Sequence, residues 1–282
     1  MVVFPNVKIN LGLNVIRKRD DGYHDISTVM VGVDWCDVLE VVISDSPDDR
    51  LVCSGLPVDC PPEKNLVMKA LRQMRSALSS HIPPLDIYLH KNVPDGAGLG
   101  GGSSDAAFLI KAVNELLELN LSDVVMADIA AGVGSDCPFF IYNSPMLATG
   151  RGEILTPVAG LADVLKKYQV AVVKAENTAV STAEAYAGII PAVPDETPEL
   201  TVCRPVEQWR LCLVNDFEAG IFGKIDTPSL IKRKMYDRGA VYAAMSGSGS
   251  AVYGIFEKST LNGEELSSLF PDCKTHPGNF IL

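Results

Sequence analysis

The sequence predicts an α+β protein of two domains, and three observations carry that prediction. Strand-like alternation and helical periodicity interleave along the chain without settling into regular strand–helix–strand repeats. A glycine-rich corner, "PDGAGLGGGSSDAA" at 94–107, joins a short apolar run to a long helical pattern. Over 143–160, "NSPMLATGRGEILTPVAG", turn residues recur every few positions, which places a boundary near 156 and predicts domains over 1–156 and 157–282.

The elements follow in order. "VKINLGLNV" sets Val7, Ile9, Leu11, Leu13 and Val15 on one side and Lys8, Asn10, Gly12 and Asn14 on the other, the pattern of a half-buried strand with a polar face. "RDDGYH" comes next, and its Asp21-Gly22 pair is a strong hairpin signal. "DVLEVVISD" reads as another strand. Asn65 is placed to cap a helix over "LVMKALRQMRSAL", whose Leu66, Ala70, Leu71, Met74 and Leu78 recur at helical spacing. The run "PLDIYLHKNV" leads into the glycines. After them Ser103 or Ser104 is expected to cap a helix carrying Phe108, Leu109, Ala112, Val113, Leu116 and Leu117. Ser122 caps a further helix that stops at Gly132 and Gly134. In the second half "YQVAVVKA" is a strand, and the proline-rich stretch 188–205 is a surface excursion. Thr227-Pro228 opens a helix with proline at its first position. "AVYAAMSGSGSAVYGIF" reads as two strands around a glycine–serine loop, and a last helix covers 262–270.

Composition narrows the function. Of 282 residues, 47% are apolar and 21% charged, an ordinary globular balance with ample material for a core. Against 35 acidic side chains stand 24 basic ones, a formal charge of −11, which argues against work along nucleic acid or an anionic membrane. A small anionic ligand stays open, because backbone N–H groups bind phosphate without net positive charge. The start "MVVFPNVKIN" has neither a signal-peptide nor a transit pattern. The uncharged run 239–256 clusters four glycines and three serines, so it reads as a hairpin rather than a membrane span. Seven scattered cysteines without a C-x-x-C pair fit reduced thiols in a cytoplasm. The four histidines show no metal-ligand spacing.

Five glycines fall within the seven positions Gly96 to Gly102. Glycine loses more conformational freedom on folding than any other residue, so the cluster asks for a reason. A strand, a glycine loop and a helix start present N–H groups and a positive helix end to an anion. Gly96, Gly98 and Gly101 satisfy G-x-G-x-x-G, but the acidic residue that a dinucleotide-binding unit needs about 20 residues on is missing. No G-K-[ST] occurs here, which removes the Walker A reading. A plain linker would be flanked by aperiodic polar sequence, and this loop is bracketed by periodic apolar segments. A phosphate cradle is the expectation.

The same stretch resembles the phosphate-binding motif of the GHMP kinase superfamily, which comprises galactokinase, homoserine kinase, mevalonate kinase and phosphomevalonate kinase. Its triple glycine and paired serines are similar to the branch that phosphorylates a cytidine diphosphate sugar alcohol. "KINLGLNV" with "RDDGYH", "GSDCPFF", "GRGEILTP", "NDFE" and "MSGSGSAVYGIF" fall in that family's order and spacing over most of the chain. The resemblance implies an N-terminal domain similar to domain 2 of ribosomal protein S5 and a ferredoxin-like C-terminal one. It implies ATP and Mg2+ as cofactors, a small-molecule substrate, and transfer of the γ-phosphoryl to the tertiary 2-hydroxyl of 4-diphosphocytidyl-2-C-methyl-D-erythritol in non-mevalonate isoprenoid precursor synthesis. A monomer or weak homodimer is expected, with neither nucleic acid nor membrane as a partner.

Residue by residue, the resemblance makes Lys8 and Asp136 catalytic. Transfer to an alcohol needs a group that orients the hydroxyl and accepts its proton, and positive charge near the moving phosphoryl. Asp136 fits the first role and Lys8 the second, although by themselves a strand lysine and a turn aspartate are ordinary surface features. The nucleotide would lie on Pro94 and Asp95, then Gly96, Ala97, Gly98 and Leu99, then Gly100, Gly101 and Gly102, and finally Ser103 and Ser104. Tyr23 would stack on the cytosine while His24 hydrogen-bonds its pairing edge. Tyr186, in "VSTAEAY", would cover the other face, with Thr182 and Asn10 as further substrate contacts. Asn65 is placed near the adenine and Ser104 near magnesium, with the metal's ligands otherwise open. "SGSGS" at 246–250 would close on the site. Asp20 stands where the family often has Pro or Ala, and 188–205 has no counterpart in it. A homoserine or mevalonate kinase would have no use for Tyr23-His24, and a non-catalytic nucleotide-binding relative should have lost Lys8 or Asp136.

Overall fold

In the computed structural model, which describes residues 1–58, 60–79, 81–176, 178 and 181–282, strands and helices interleave throughout. The chain opens with β1 (Val2–Val3) and β2 (Asn6–Lys18), and the turn at Asp21-Gly22 returns it as β3 (His24–Cys36) and β4 (Val38–Ile43). Then come β5 (Arg50–Gly55), α1 (Leu66–Ala77), β6 (Leu85–Lys91), α2 (Gly101–Leu116), α3 (Asp123–Ala131) and α4 (Cys137–Tyr142). The hairpin of β7 (Met146–Thr149) and β8 (Ile154–Pro157) precedes α5 (Leu161–Leu165) and β9 (Tyr168–Ala175). Five helices follow: α6 (Thr182–Ala187), α7 (Pro198–Thr201), α8 (Val206–Cys212), α9 (Phe217–Phe222) and α10 (Asp226–Asp237). The chain ends with β10 (Tyr242–Met245), β11 (Val252–Glu257), α11 (Gly263–Leu269), β12 (Cys273–Gly278) and β13 (Phe280–Ile281). Two units are interleaved along it. Met1–Val7, Trp35–Asp95 and Gly100–Asn143 make one, and Lys8–Asp34, Gly96–Leu99 and Ser144–Leu282 make the other. This division differs from a single cut near 156.

The first unit is built on a sheet of order β1-β4-β6-β5, with β5 parallel to β6 and the remaining pairs antiparallel. Leu85, Ile87 and Leu89 of β6 point into the core, and Lys91 continues that buried register. Asn65 caps α1 as expected, its Oδ1 accepting from Val67 N at 2.9 Å. The buried face of α1 is Val67, Ala70, Leu71 and Met74, so the stripe sits one position from the Leu66 start the spacing suggested. Ser122 caps α3 as expected. At α2 the expectation of a serine cap fails. The N-cap is Gly100 at φ +72°, without a side-chain cap bond, and Ser103 and Ser104 lie inside the first turn. A left-handed glycine lets the helix begin three residues before Ser104.

The second unit holds an antiparallel sheet of order β10-β11-β9-β12, with the α6–α10 segment between β9 and β10 and α11 between β11 and β12. That is the ferredoxin-like arrangement. Its core gathers Val173, Ile231, Met235, Val252, Phe256, Leu266 and Phe270. A second sheet runs β13-β3-β7-β8, with β2 paired to β3. Here β2 differs from the half-buried strand its alternation suggested. Lys8 is 4% exposed and Asn10 1%, so the polar face is covered as well as the apolar one. Gly98 and Gly247 lie against Lys8 and Asn10, and Leu213 lies against Gly12, where a Cβ would sit 2.6 Å from its Cδ1. Two further expectations shift. Helix α10 starts at Asp226, which puts Pro228 at its third residue, still in the first turn where no N–H donor is required. In 188–205, Ile190 and Val193 are exposed, but Thr201 and Val202 are buried, because Pro198 starts α7 and turns those side chains inward. Cys53, Cys60, Cys137, Cys203, Cys212 and Cys273 are free thiols. Among the described residues no helix is long and apolar enough to cross a membrane.

Candidate functional site

Lys8 is fixed by its own strand and by the glycine loop. Its Nζ donates to Asn10 Oδ1 at 2.7 Å and to the Gly98 carbonyl at 3.3 Å, while its backbone N–H donates to Leu99 O at 2.9 Å. Asn10 Nδ2 donates to Thr28 Oγ1 at 3.0 Å, and Thr28 Oγ1 donates to Gly12 O. This run orients the Asn10 amide so that its oxygen faces the ammonium. Burying a lysine without compensating bonds would cost several kcal/mol. The array therefore explains why Lys8 remains inside.

The loop alternates left-handed glycines with buried apolar anchors. Gly96, Gly98 and Gly100 have φ of +61°, +76° and +72°, and Ala97 and Leu99 between them are 2% and 1% exposed. Such alternation turns successive N–H groups toward one side, the nest geometry that suits an anion. Gly98 is also required by space, because a Cβ there would sit 2.1 Å from Ser246 O. Ser246 Oγ donates to Gly98 O at 2.9 Å, and Ala251 N donates to Ala97 O at 3.1 Å. The expected third glycine motif, 246–250, thus lies against the first within the second unit. Asn215 supports it by donating to Met245 O and Gly247 O, at 2.8 and 2.9 Å. Asp216 holds β2 by accepting from Val15 N and Asn14 Nδ2, at 2.8 and 3.0 Å.

In the first unit, α2 begins without a capping side chain and without an acidic residue in its first turn. Its leading N–H groups and positive helix end are available to an anion. Asp136 occupies the N-cap position of α4, yet its side chain makes no cap bond there, so capping does not account for it. Sequence reasoning missed the charged cluster beneath α2. Lys91 Nζ bonds the carboxylates of both Asp37 and Asp105, and all three are buried. Burial pushes the Asp105 carboxyl up to about 7 against the pull of Lys91, and its Oδ1 has no partner among the described residues. The signal was present: Lys91 continues the inward register of Leu85, Ile87 and Leu89, and an inward lysine needs an anion.

Also in the second unit, the rings of His24 and Tyr186 stack at 4.5 Å with 16° between their planes. Tyr186 meets Phe217 edge-on at 4.9 Å. Tyr23 is 57% exposed, with the Arg151 guanidinium 5.1 Å from its ring centre. Partial burial and the charge of Lys18 lower the His24 pKa, which keeps the imidazole neutral at pH 7. Thr182 is the exposed first residue of α6, behind a capping box formed by Ser181 and Glu184. The structure thus groups Lys8 with Asn10 and Gly98, and His24 with Tyr186.

Comparison with known proteins decides the family. Residues 65–144 match the GHMP kinases N terminal domain. A 4-diphosphocytidyl-2-C-methyl-D-erythritol kinase of Parabacteroides distasonis is 48% identical over 274 residues, 97% of each chain. The chain belongs to the 4-diphosphocytidyl-2-C-methyl-D-erythritol kinase family. A member from Bacteroides fragilis is 46% identical over 91% of this kinase and 92% of that protein. A crystal structure of a 4-(cytidine 5'-diphospho)-2C-methyl-D-erythritol kinase superposes with a TM-score of 0.82 at 28% identity, covering 100% of both chains. A mevalonate kinase, at a TM-score of 0.73 and 14% identity, shares the fold.

The donor set also bears on magnesium. Among the described residues no three His, Cys, Asp or Glu side chains group to hold a metal, and the Ser104 hydroxyl is wholly buried without a partner. The orphaned Ser104 hydroxyl in the first turn of α2 fits an ion that keeps much of its own water.

Proposed function

We propose that this kinase transfers the γ-phosphoryl of ATP to the 2-hydroxyl of 4-diphosphocytidyl-2-C-methyl-D-erythritol, giving the 2-phosphate and ADP. The observation that carries the reading is near-full-length likeness to named kinases of that substrate, in a chain that keeps Lys8 buried on the glycine loop. Asp136 orients the hydroxyl and accepts its proton, and Lys8 supplies charge at the transferred group. Because phosphoryl transfer passes through a loose transition state, positioning outweighs base strength. The N–H groups of Gly96 to Ser104 and the start of α2 receive the phosphates. Magnesium, bound with the nucleotide beside the buried Ser104 hydroxyl, would offset phosphate charge. Tyr23, His24, Tyr186, Thr182 and Asn10 receive the acceptor. Neutral His24 both donates and accepts, as a pairing edge requires. The protein works as a cytoplasmic monomer or weak homodimer.

The test is ADP release with ATP and magnesium, comparing the cytidine diphosphate sugar alcohol, methylerythritol phosphate, homoserine and mevalonate. Turnover confined to the first is expected. Turnover of homoserine or mevalonate instead would overturn the substrate assignment.

A further inference from the structure

Lys174 is a buried cation that the proposed reaction does not use. It lies on β9, is 5% exposed, and meets no carboxylate among the described residues. Its ammonium donates instead to two backbone carbonyls, Ala175 O at 2.7 Å and Thr178 O. Burial keeps its pKa below the usual lysine range. A lysine held inside by backbone oxygens alone is costly unless those oxygens must stay where they are.

The Thr178 carbonyl has a second donor. Ser250 Oγ, 1% exposed, reaches it at 2.7 Å. Ser250 closes the loop 246–250, whose opposite end, Ser246, holds Gly98 O at 2.9 Å, and the next residue, Ala251, bonds Ala97 O. One short glycine–serine loop therefore bonds the nucleotide loop at one end and the Thr178 carbonyl at the other. Lys8 shares the same Gly98 carbonyl. Thr178 stands four residues before Thr182, the first residue of α6.

We infer that Lys174 and Ser250 are positioning residues that clamp the Thr178 carbonyl and so couple acceptor binding to occupancy of the glycine loop. The inference rests on the proposed function, which places nucleotide on Gly98 and acceptor on Tyr186. A nucleotide that orders 96–99 favours one arrangement of 246–251, and that arrangement fixes Thr178. By linkage the acceptor strengthens nucleotide binding by the same factor.

Calorimetry on the full chain tests this. The dissociation constant of 4-diphosphocytidyl-2-C-methyl-D-erythritol is measured with and without a non-hydrolysable ATP analogue, in the parent, Ser250→Ala, Lys174→Met and Lys174→Arg. The parent is expected to bind the acceptor about tenfold tighter with the analogue present, within the usual reach of such coupling. In Ser250→Ala and Lys174→Met that ratio should fall toward one, and Lys174→Arg should restore part of it. A parent ratio of one would overturn the inference. So would variants that lose thermal stability yet keep the parent's ratio, since that marks a merely structural role. Ser250→Ala removes a single hydroxyl and keeps the test alive where Lys174→Met fails to fold. A parent that turns over no acceptor would instead sink the proposed function, a result read before any variant is compared.

Discussion

Alanine at Gly98 and at Gly96 should have very different consequences, although both glycines adopt left-handed backbone in one loop. Their φ values are +76° and +61°, so a side chain at either incurs about 1–2 kcal/mol of backbone strain. What separates them is space. A Cβ at Gly98 would lie 2.1 Å from Ser246 O, 3.0 Å from Ser246 C and 3.1 Å from Gly249 N, all backbone atoms that cannot swing aside. A Cβ at Gly96 meets nothing within 4 Å. Forcing the extra carbon in at Gly98 adds about 1–3 kcal/mol of overpacking, for a total of about 2–5 kcal/mol. The stiffening of the unfolded chain by alanine is common to both variants and cancels in their difference. Urea unfolding of the two variants measures that difference directly. Steady-state kinetics should add a second contrast: Gly98→Ala displaces the Ser246 bond and lowers kcat/KM for ATP, while Gly96→Ala raises the KM for ATP by blocking phosphate approach. Equal unfolding midpoints for the two variants would refute the argument that close packing selects Gly98.

Three other outcomes are expected. Asp136→Asn should lower kcat about 10²–10⁴-fold with little change in unfolding midpoint, and near-normal turnover would remove Asp136 from the base role. Because burial and Lys18 lower the His24 pKa from its ordinary 6.5, the neutral ring's contribution to acceptor binding is present above 6.5 and is lost as pH falls through the lower folded value. The KM for the acceptor should stay flat from pH 8 to 7, and a rise already within that interval would count against His24. Asp105 runs the other way: with its carboxyl raised from 3.8 to about 7, its contribution to stability is present below 3.8 and is lost as pH rises through about 7. The urea midpoint of the parent should fall between pH 5 and 8 by more than that of Asp105→Asn, and identical pH slopes would contradict this.

Much of the fold was legible because local signals agreed with tertiary demands. Asn65 and Ser122 announced their helices, Asp21-Gly22 announced the first hairpin, and "AVYAAMSGSGSAVYGIF" announced the β10–β11 pair. Misreadings arose where packing decides. Alternation in β2 separates apolar from polar residues but does not say whether the polar face is covered. Gly98, Gly247 and Leu213, all distant in sequence, cover it. Ser103 and Ser104 look like caps by type, yet a left-handed Gly100 starts α2 earlier. Of the candidate site, the glycine loop was readable as a strand-to-helix corner, whereas the contacts of Asn215, of Asp216 and of the Asp37–Lys91 pair join residues far apart in sequence. The pairing of Tyr186 with His24 is of the same kind, because aromatic type is visible in a sequence and ring orientation is not.

The burial of Lys8 changes when its freedom is surrendered. A lysine side chain carries about 2 kcal/mol of rotamer entropy. On an open surface that freedom would be lost afresh with each nucleotide that arrives. Here Asn10 and Gly98 hold the ammonium in the folded protein, so in the proposed role each turnover would meet a charge already aimed. Such groups need little reorientation as charge develops in the transition state. In the role proposed for Lys8, the hydrogen bonds running from it through Asn10 and Thr28 to Gly12 would serve at once the stability of the strand and the height of the reaction barrier.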